Sequence, residues 1–133
     1  MAADATLARK LQVKPASRVL VLDAPEGYVE RLGAAAETEP REDGAYDVVQ
    51  VFVKDRLDVE RRAAPALRAL RRGGVLWFSY PKRASQVATD LTRDHGWDVV
   101  AQAGLRPVAQ VSVDEVWSAL RFRPASDVRP RTK

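Results

Sequence analysis

The tightest constraint on the fold is the run Val19-Leu20-Val21-Leu22, followed at once by Asp23-Ala24-Pro25-Glu26-Gly27-Tyr28. A strand that alternates apolar and polar residues has one wet face. A strand with no alternation is buried on both faces, as in a parallel sheet covered by helices. An acid, a tight turn and a helix start then describe the first strand of an open α/β sheet, which delivers the chain to a crevice beyond the strand ends. Pro25 suits a first helical position, where no hydrogen-bond donor is needed. The helix through Val29 and Leu32 is predicted to stop at Gly33.

A short helix over residues 6–11 precedes this strand, with Leu7, Ala8 and Leu11 on one face and Pro15 beyond its end. Residues 34–39 are ambiguous and read as a weak second strand whose end carries Glu37 or Glu39; residues 40–45 read as a surface loop. Residues 46–53, rich in β-branched and aromatic types, are the clearest strand. Asp55 is placed to cap the next helix, with Asp58 in its first turn. That helical pattern runs to Arg72; Pro65 is expected to kink or split it, and Gly73-Gly74 to stop it. Residues 75–80 read as another buried strand, and Ser85 as the cap of a helix through Val87, Ala88 and Leu91 ending near His95-Gly96. Residues 97–100 and a turn at Gly104 lead to strands over 108–113 and 116–122, close enough to pair as an antiparallel hairpin.

At 133 residues, with 46% hydrophobic and 30% charged residues, the composition is that of one soluble globular domain. Residues 1–124 are expected to form it, with 125–133 as a basic, flexible tail. No apolar stretch nears the ~20 residues of a membrane span, and the N-terminus lacks the features of a signal peptide. The absence of cysteine excludes disulfides and thiolate chemistry, and a cytoplasmic location is expected. His95 stands alone, so no transition-metal site is expected. The net charge of +4 is dispersed among acids, which argues against a nucleic-acid stripe. Trp77, Trp97 and Trp117 read as core. If the last strand alternates, Trp117, Arg121 and Arg123 share a face that could meet nucleic acid or another subunit, and an exposed terminal strand could pair edge to edge in a homodimer.

The order of elements from residue 46 to 124 resembles the C-terminal half of the class I methyltransferase-like fold. Asp47-Val48-Val49, Arg71-Arg72-Gly73-Gly74 and Val75-Leu76-Trp77-Phe78 carry the resemblance. It implies a three-layer, Rossmann-like α/β sheet, mostly parallel with a C-terminal antiparallel hairpin and helices on both faces. The chain also resembles, over nearly its whole length, a set of small bacterial proteins with no assigned activity. That resemblance rests on residues 21–28, 51–54, 79–82, 89–94 and 117–123. The methyltransferase cofactor loop, an acid followed by Gly-x-Gly-x-Gly, is not matched: Asp23 is followed by Ala24-Pro25-Glu26-Gly27. Pro25 supplies no N–H, and Glu26 adds negative charge where a carboxylate would sit. The acid that holds the ribose in that family would be Glu37 or Glu39. The family's Asn-Pro-Pro-Tyr-like loop is replaced by Lys54-Asp55-Arg56.

Asp23, Glu26, Gly27, Lys54, Asp55, Tyr80, Lys82, Arg83 and Ser85 are therefore the candidate ligand-binding residues. The lysines, Arg83 and the start of the Ser85 helix would hold an anion. No catalytic residue and no metal ligand is assigned. The leading expectation is a non-catalytic methyltransferase-like domain that binds a small anionic ligand or a protein partner, without a cofactor. The alternative is a divergent enzyme binding S-adenosylmethionine, which the loop disfavours, or a related anion. A third reading, a nucleic-acid accessory protein, would use the last strand and the tail.

Overall fold

The computed structural model describes residues 5–33, 36–39, 45–83 and 85–127. Helix α1 (Ala5–Lys10) leads into β1 (Val19–Leu22), α2 (Tyr28–Leu32), β2 (Ala36–Glu37), β3 (Tyr46–Phe52) and α3 (Arg56–Ala69). Then follow β4 (Leu70–Pro81), α4 (Asp98–Gln102), β5 (Leu105–Ser112), β6 (Trp117–Pro124) and a 3₁₀ turn, Ala125–Asp127. The strands form a 6-stranded sheet in the order β2-β1-β3-β4-β6-β5. β2, β1, β3 and β4 run parallel, and the last two strands run antiparallel to their neighbours.

Two apolar layers cover the sheet. On one face Val59, Ala63, Ala66 and Ala69 of α3 and Val100 of α4 pack on Leu20, Val49, Val51, Phe78 and Phe122. On the other, Leu7 of α1 and Leu11 just after it, with Tyr28 and Leu32 of α2, pack on Val19, Val21, Val48, Phe52 and Trp77. All four residues of β1 are buried, as an unalternated strand requires.

Several expectations are corrected. The run at Val19–Leu22, around which the sheet was expected to be centred, lies one place from the β2 edge, and β3 and β4 hold the middle. Helix α2 starts at Tyr28, not Pro25, because left-handed Gly27 (φ 84°) turns the chain first. Pro65 sits inside α3 without splitting it. Gly73 and Gly74 do not stop that helix; it ends at Ala69, and both glycines lie inside β4. A Cβ on Gly74 would stand 2.7 Å from Leu70 Cδ1, 3.0 Å from the Arg71 carbonyl oxygen and 3.1 Å from that of Asp47 on β3, so the bulge leaves little room for a side chain there.

The helix expected after Ser85 is absent. The Thr89 hydroxyl accepts the Leu91 N–H, and the Thr92 hydroxyl accepts those of Asp94 and His95. These local bonds compete with helical ones. The helix forms later, as α4. The hairpin of β5 and β6 forms as expected, but β6 is no edge strand; β5 covers it. Of the tail, 128–133 lie outside the described residues. No helix among the described residues is long and apolar enough to cross a membrane.

Candidate ligand crevice

The parallel strands deliver β1, β2 and β3 to one edge of the sheet, and the start of antiparallel β6 arrives beside them. There Asp23 adopts φ 60°, in the left-handed region that aspartate tolerates better than most residues. Its carboxylate accepts two hydrogen bonds from Arg62 of α3, at 2.6 Å from Nε and 2.8 Å from Nη2. This bidentate pair, stronger than a single contact, ties the β1 loop to α3. The turn is closed by the Tyr28 N–H donating to the Pro25 carbonyl at 3.1 Å.

Beyond β3, Asp55 caps α3 by accepting the Asp58 N–H at 2.9 Å. Asp58 reaches back to accept the Lys54 N–H at 2.9 Å, in the manner of a capping box, and also accepts from Arg61 at 2.6 Å. Burial raises the Asp58 pKa, but the hydrogen bonds from Lys54 and Arg61 and their charges outweigh it, so the carboxyl titrates below its usual 3.8.

Two cavities of 360 Å³ adjoin at Asp23 and Pro25. The one on the β3 side is lined by Phe52, Lys54, Asp58, Arg61 and Trp117 as well. The one on the β2 side takes in Gly27, Val29, Glu30 and Thr38. Phe52 is the floor of the first, edge-to-face with Trp117 at 5.0 Å and with Tyr28 at 4.7 Å. Beneath it runs a buried relay in which the Tyr28 hydroxyl donates to Gln50 Oε1 at 2.7 Å. Gln50 Nε2 in turn donates to the Ser79 hydroxyl at 2.8 Å. Burial pushes the Tyr28 phenol up to about 12 despite the Gln50 bond and the nearby Arg31.

The expected site residues are only partly brought together. Asp23 and Lys54 line the β3-side cavity, Gly27 the β2-side one, and Asp55 sits adjacent as a cap. Glu26 is exposed in the same loop and lines neither. Tyr80 is buried on the α3 face against Trp97. Lys82 donates to the Ser112 hydroxyl at 2.7 Å, beside the hairpin. Arg83 and Ser85 follow in the irregular segment, where Ser85 donates to the Lys82 carbonyl and no helix start is available for an anion. Glu37 is engaged elsewhere, by Arg18 at 3.1 Å and by the Tyr46 hydroxyl at 2.5 Å.

Phe52, Trp117, Glu30, Thr38, Asp58 and Arg61 were not expected in the site. Phe52 ends the clearest strand and so lies at the strand C-terminal edge. Trp117 begins a strand antiparallel to β4, which brings it to that same edge. Both positions follow from topology once strand order is known. Among the described residues, no group of three or more His, Cys, Asp or Glu is arranged to hold a metal ion.

No family model and no curated protein matches the chain. Solved structures do share its fold. A SAM dependent methyltransferase from Aquifex aeolicus superposes with a TM-score of 0.60 at 12% identity, covering 88% of this chain and 87% of that one. The ribosomal protein L11 methylase of Lactobacillus delbrueckii subsp. bulgaricus gives 0.58 at 12% identity, covering 90% and 75%. The PH0226 protein of Pyrococcus horikoshii gives 0.56 at 13%, covering 90% and 86%. The chain therefore has a methyltransferase-like, Rossmann-like fold.

Proposed function

We propose that the two adjoining cavities bind one small ligand with an anionic end. Fold neighbours favour an adenosyl ligand of the S-adenosylmethionine class, and with it the enzyme reading over the non-catalytic one. The observation that carries the binding proposal is the charge left over in the crevice. Arg62 neutralises Asp23 and Arg61 neutralises Asp58. Among the described residues, this leaves Lys54 without an ion pair in one cavity and Glu30 without one in the other.

A cation at one end and an acid beside a hydroxyl at the other suit a ligand with a carboxylate at one end and hydroxyl groups at the other. Lys54 would hold the carboxylate, Glu30 and Thr38 the hydroxyls, and Phe52 with Trp117 would supply the apolar wall. Such binding would rest on side chains, where the glycine-loop enzymes use bare backbone. Pro25 offers no N–H, and Glu37 is already engaged. S-adenosylmethionine, when bound, supplies an activated methyl group; no residue of this chain is assigned a step in its transfer.

The second reading is a non-catalytic domain that binds a different small anion or a protein partner at this edge. It is supported by the Asp23–Arg62 pair, which already ties the loop to α3. Thermal denaturation with millimolar S-adenosylmethionine or S-adenosylhomocysteine separates the two. Binding raises the midpoint by mass action; an unchanged midpoint with both ligands sinks the adenosyl reading and leaves the second.

A further inference from the structure

The opposite edge of the sheet, where β3 and β4 begin and β6 ends, carries a notch. Pairing of β3 with β4 jumps from Tyr46–Leu70 to Val48–Val75, so residues 71–74 bulge out. Pairing of β4 with β6 stops at Leu76–Phe122, so beyond it Arg123 and Pro124 pair with β5 alone, opposite Arg106 and Leu105. Gly73, at φ 77°, turns the bulge. Cavities of 250 and 400 Å³ open on either side of it, and Arg71, Gly73 and Arg121 line both.

Cations dominate this notch. Arg71 is paired with Asp47 at 2.6 Å, and the other Asp47 oxygen accepts the Arg18 N–H at 2.7 Å. Those bonds hold the Asp47 carboxyl below its usual range, so its charge is already committed. Lys14, Arg72, Arg121 and Arg123 make no ion pair among the described residues. Arg121 Nε is buried and has no hydrogen-bond partner there. A buried guanidinium N–H without an acceptor is costly, and native proteins seldom leave one. Leu67 and Leu105 supply an apolar wall in the smaller cavity.

We propose that this notch is a second binding site, for a small organic phosphate, with the phosphate among Arg72, Arg121 and Arg123 and the organic part on Leu67 and Leu105. Three arginines lining one cavity favour a phosphate dianion over a carboxylate, because its second charge and third terminal oxygen let it accept from more than one guanidinium fork. Burial and then Arg123 lower the proton affinity of Arg121, a repulsion that a bound dianion relieves. The site stands at the other edge of the sheet from the crevice and does not depend on the crevice reading.

Calorimetric titration of the full chain with phenyl phosphate and with inorganic phosphate tests it. Phenyl phosphate should bind about tenfold more tightly than inorganic phosphate. Arg121→Gln and Arg72→Gln should each weaken it about tenfold, and Arg93→Gln, an exposed cation that lines neither the notch nor the crevice, should leave it unchanged. Arg72 is exposed, so Arg72→Gln keeps the test alive if Arg121→Gln fails to fold. No heat from millimolar phenyl phosphate, unweakened binding by folded Arg72→Gln, or loss in Arg93→Gln would each overturn the site. Equal affinity for the two phosphates would overturn the organic half of the ligand. A single-stranded oligonucleotide that outcompetes phenyl phosphate and is lost in Arg72→Gln would replace the small ligand with a nucleic-acid backbone.

Discussion

On the α3 face of the sheet the rings of Phe78, Tyr80, Trp97 and Phe122 pack at centroid distances of 5.3 to 5.7 Å, whereas the α1–α2 face is threaded with directional polar contacts. There the Trp77 indole N–H donates to the Leu11 carbonyl at 2.9 Å, Arg31 pairs with Asp114 at 3.0 Å, and Tyr28, Gln50 and Ser79 form their relay. Packing tolerates small displacements; buried hydrogen bonds fix position, because a broken one leaves an unpaired polar atom. The crevice opens above the polar face, with Phe52 touching both Tyr28 and Trp117. One face thus supplies stability away from the site, and the other holds the floor of the site in place.

The largest expected effect is on the aromatic face. Trp97→Ala should lower stability by about 3–5 kcal/mol in denaturant titration, as for other buried large-to-small changes, while crevice affinity stays unchanged. A comparable loss of affinity would break the separation of the two faces. On the polar face, Tyr28→Phe keeps the ring against Phe52 but strands Gln50 Oε1, and should cost about 1–3 kcal/mol. A neutral outcome would mean that the relay is not position-fixing.

Alkaline pH probes the same relay. The unfolded phenol ionises near 10, but folded Tyr28 keeps its proton to about 12. Raising pH through that window therefore favours the unfolded chain, by up to about 2–3 kcal/mol. Ultraviolet titration should show a tyrosine that ionises only well above 10; all three phenols ionising near 10 would contradict the burial of Tyr28. The smallest effect is at acid pH. Burial raises the pKa of Asp114, but the Trp117 and Val116 N–H groups and Arg31 lower it further, so its carboxyl, like that of Asp58, titrates below 3.8. Their contribution is complete above that value and fades as pH falls through the lower folded pKa values. Denaturant midpoints should fall between pH 5 and pH 2, and less so in Asp114→Ala.

Much of the frame was legible in the chain. The unalternated run at β1, the β-branched run at β3 and the Asp55 cap each impose a local structure that packing had no reason to override. The segment after Ser85 reads as a helix because Val87, Ala88 and Leu91 keep a helical spacing, yet of the three only Leu91 is buried. Thr89 and Thr92 meanwhile offer the backbone local partners. Gly73-Gly74 looks like a helix stop, but Gly73 takes φ 77° in the bulge and Gly74 sits where a Cβ would crowd Leu70, Arg71 and Asp47. In the crevice, Asp23 and Lys54 were legible because each follows directly on a strand. Trp117 and Glu30 were not, since one depends on an antiparallel strand order and the other on where α2 begins.

The crevice proposal is tested most directly by titrating S-adenosylhomocysteine calorimetrically into the wild-type chain and into Lys54→Ala side by side. Saturable binding by the wild type, weakened about tenfold by removal of Lys54, which has no ion pair among the described residues, is the expected result. Binding of equal strength in both proteins would contradict the role given to Lys54, and no heat in either would take the adenosyl ligand out of the crevice.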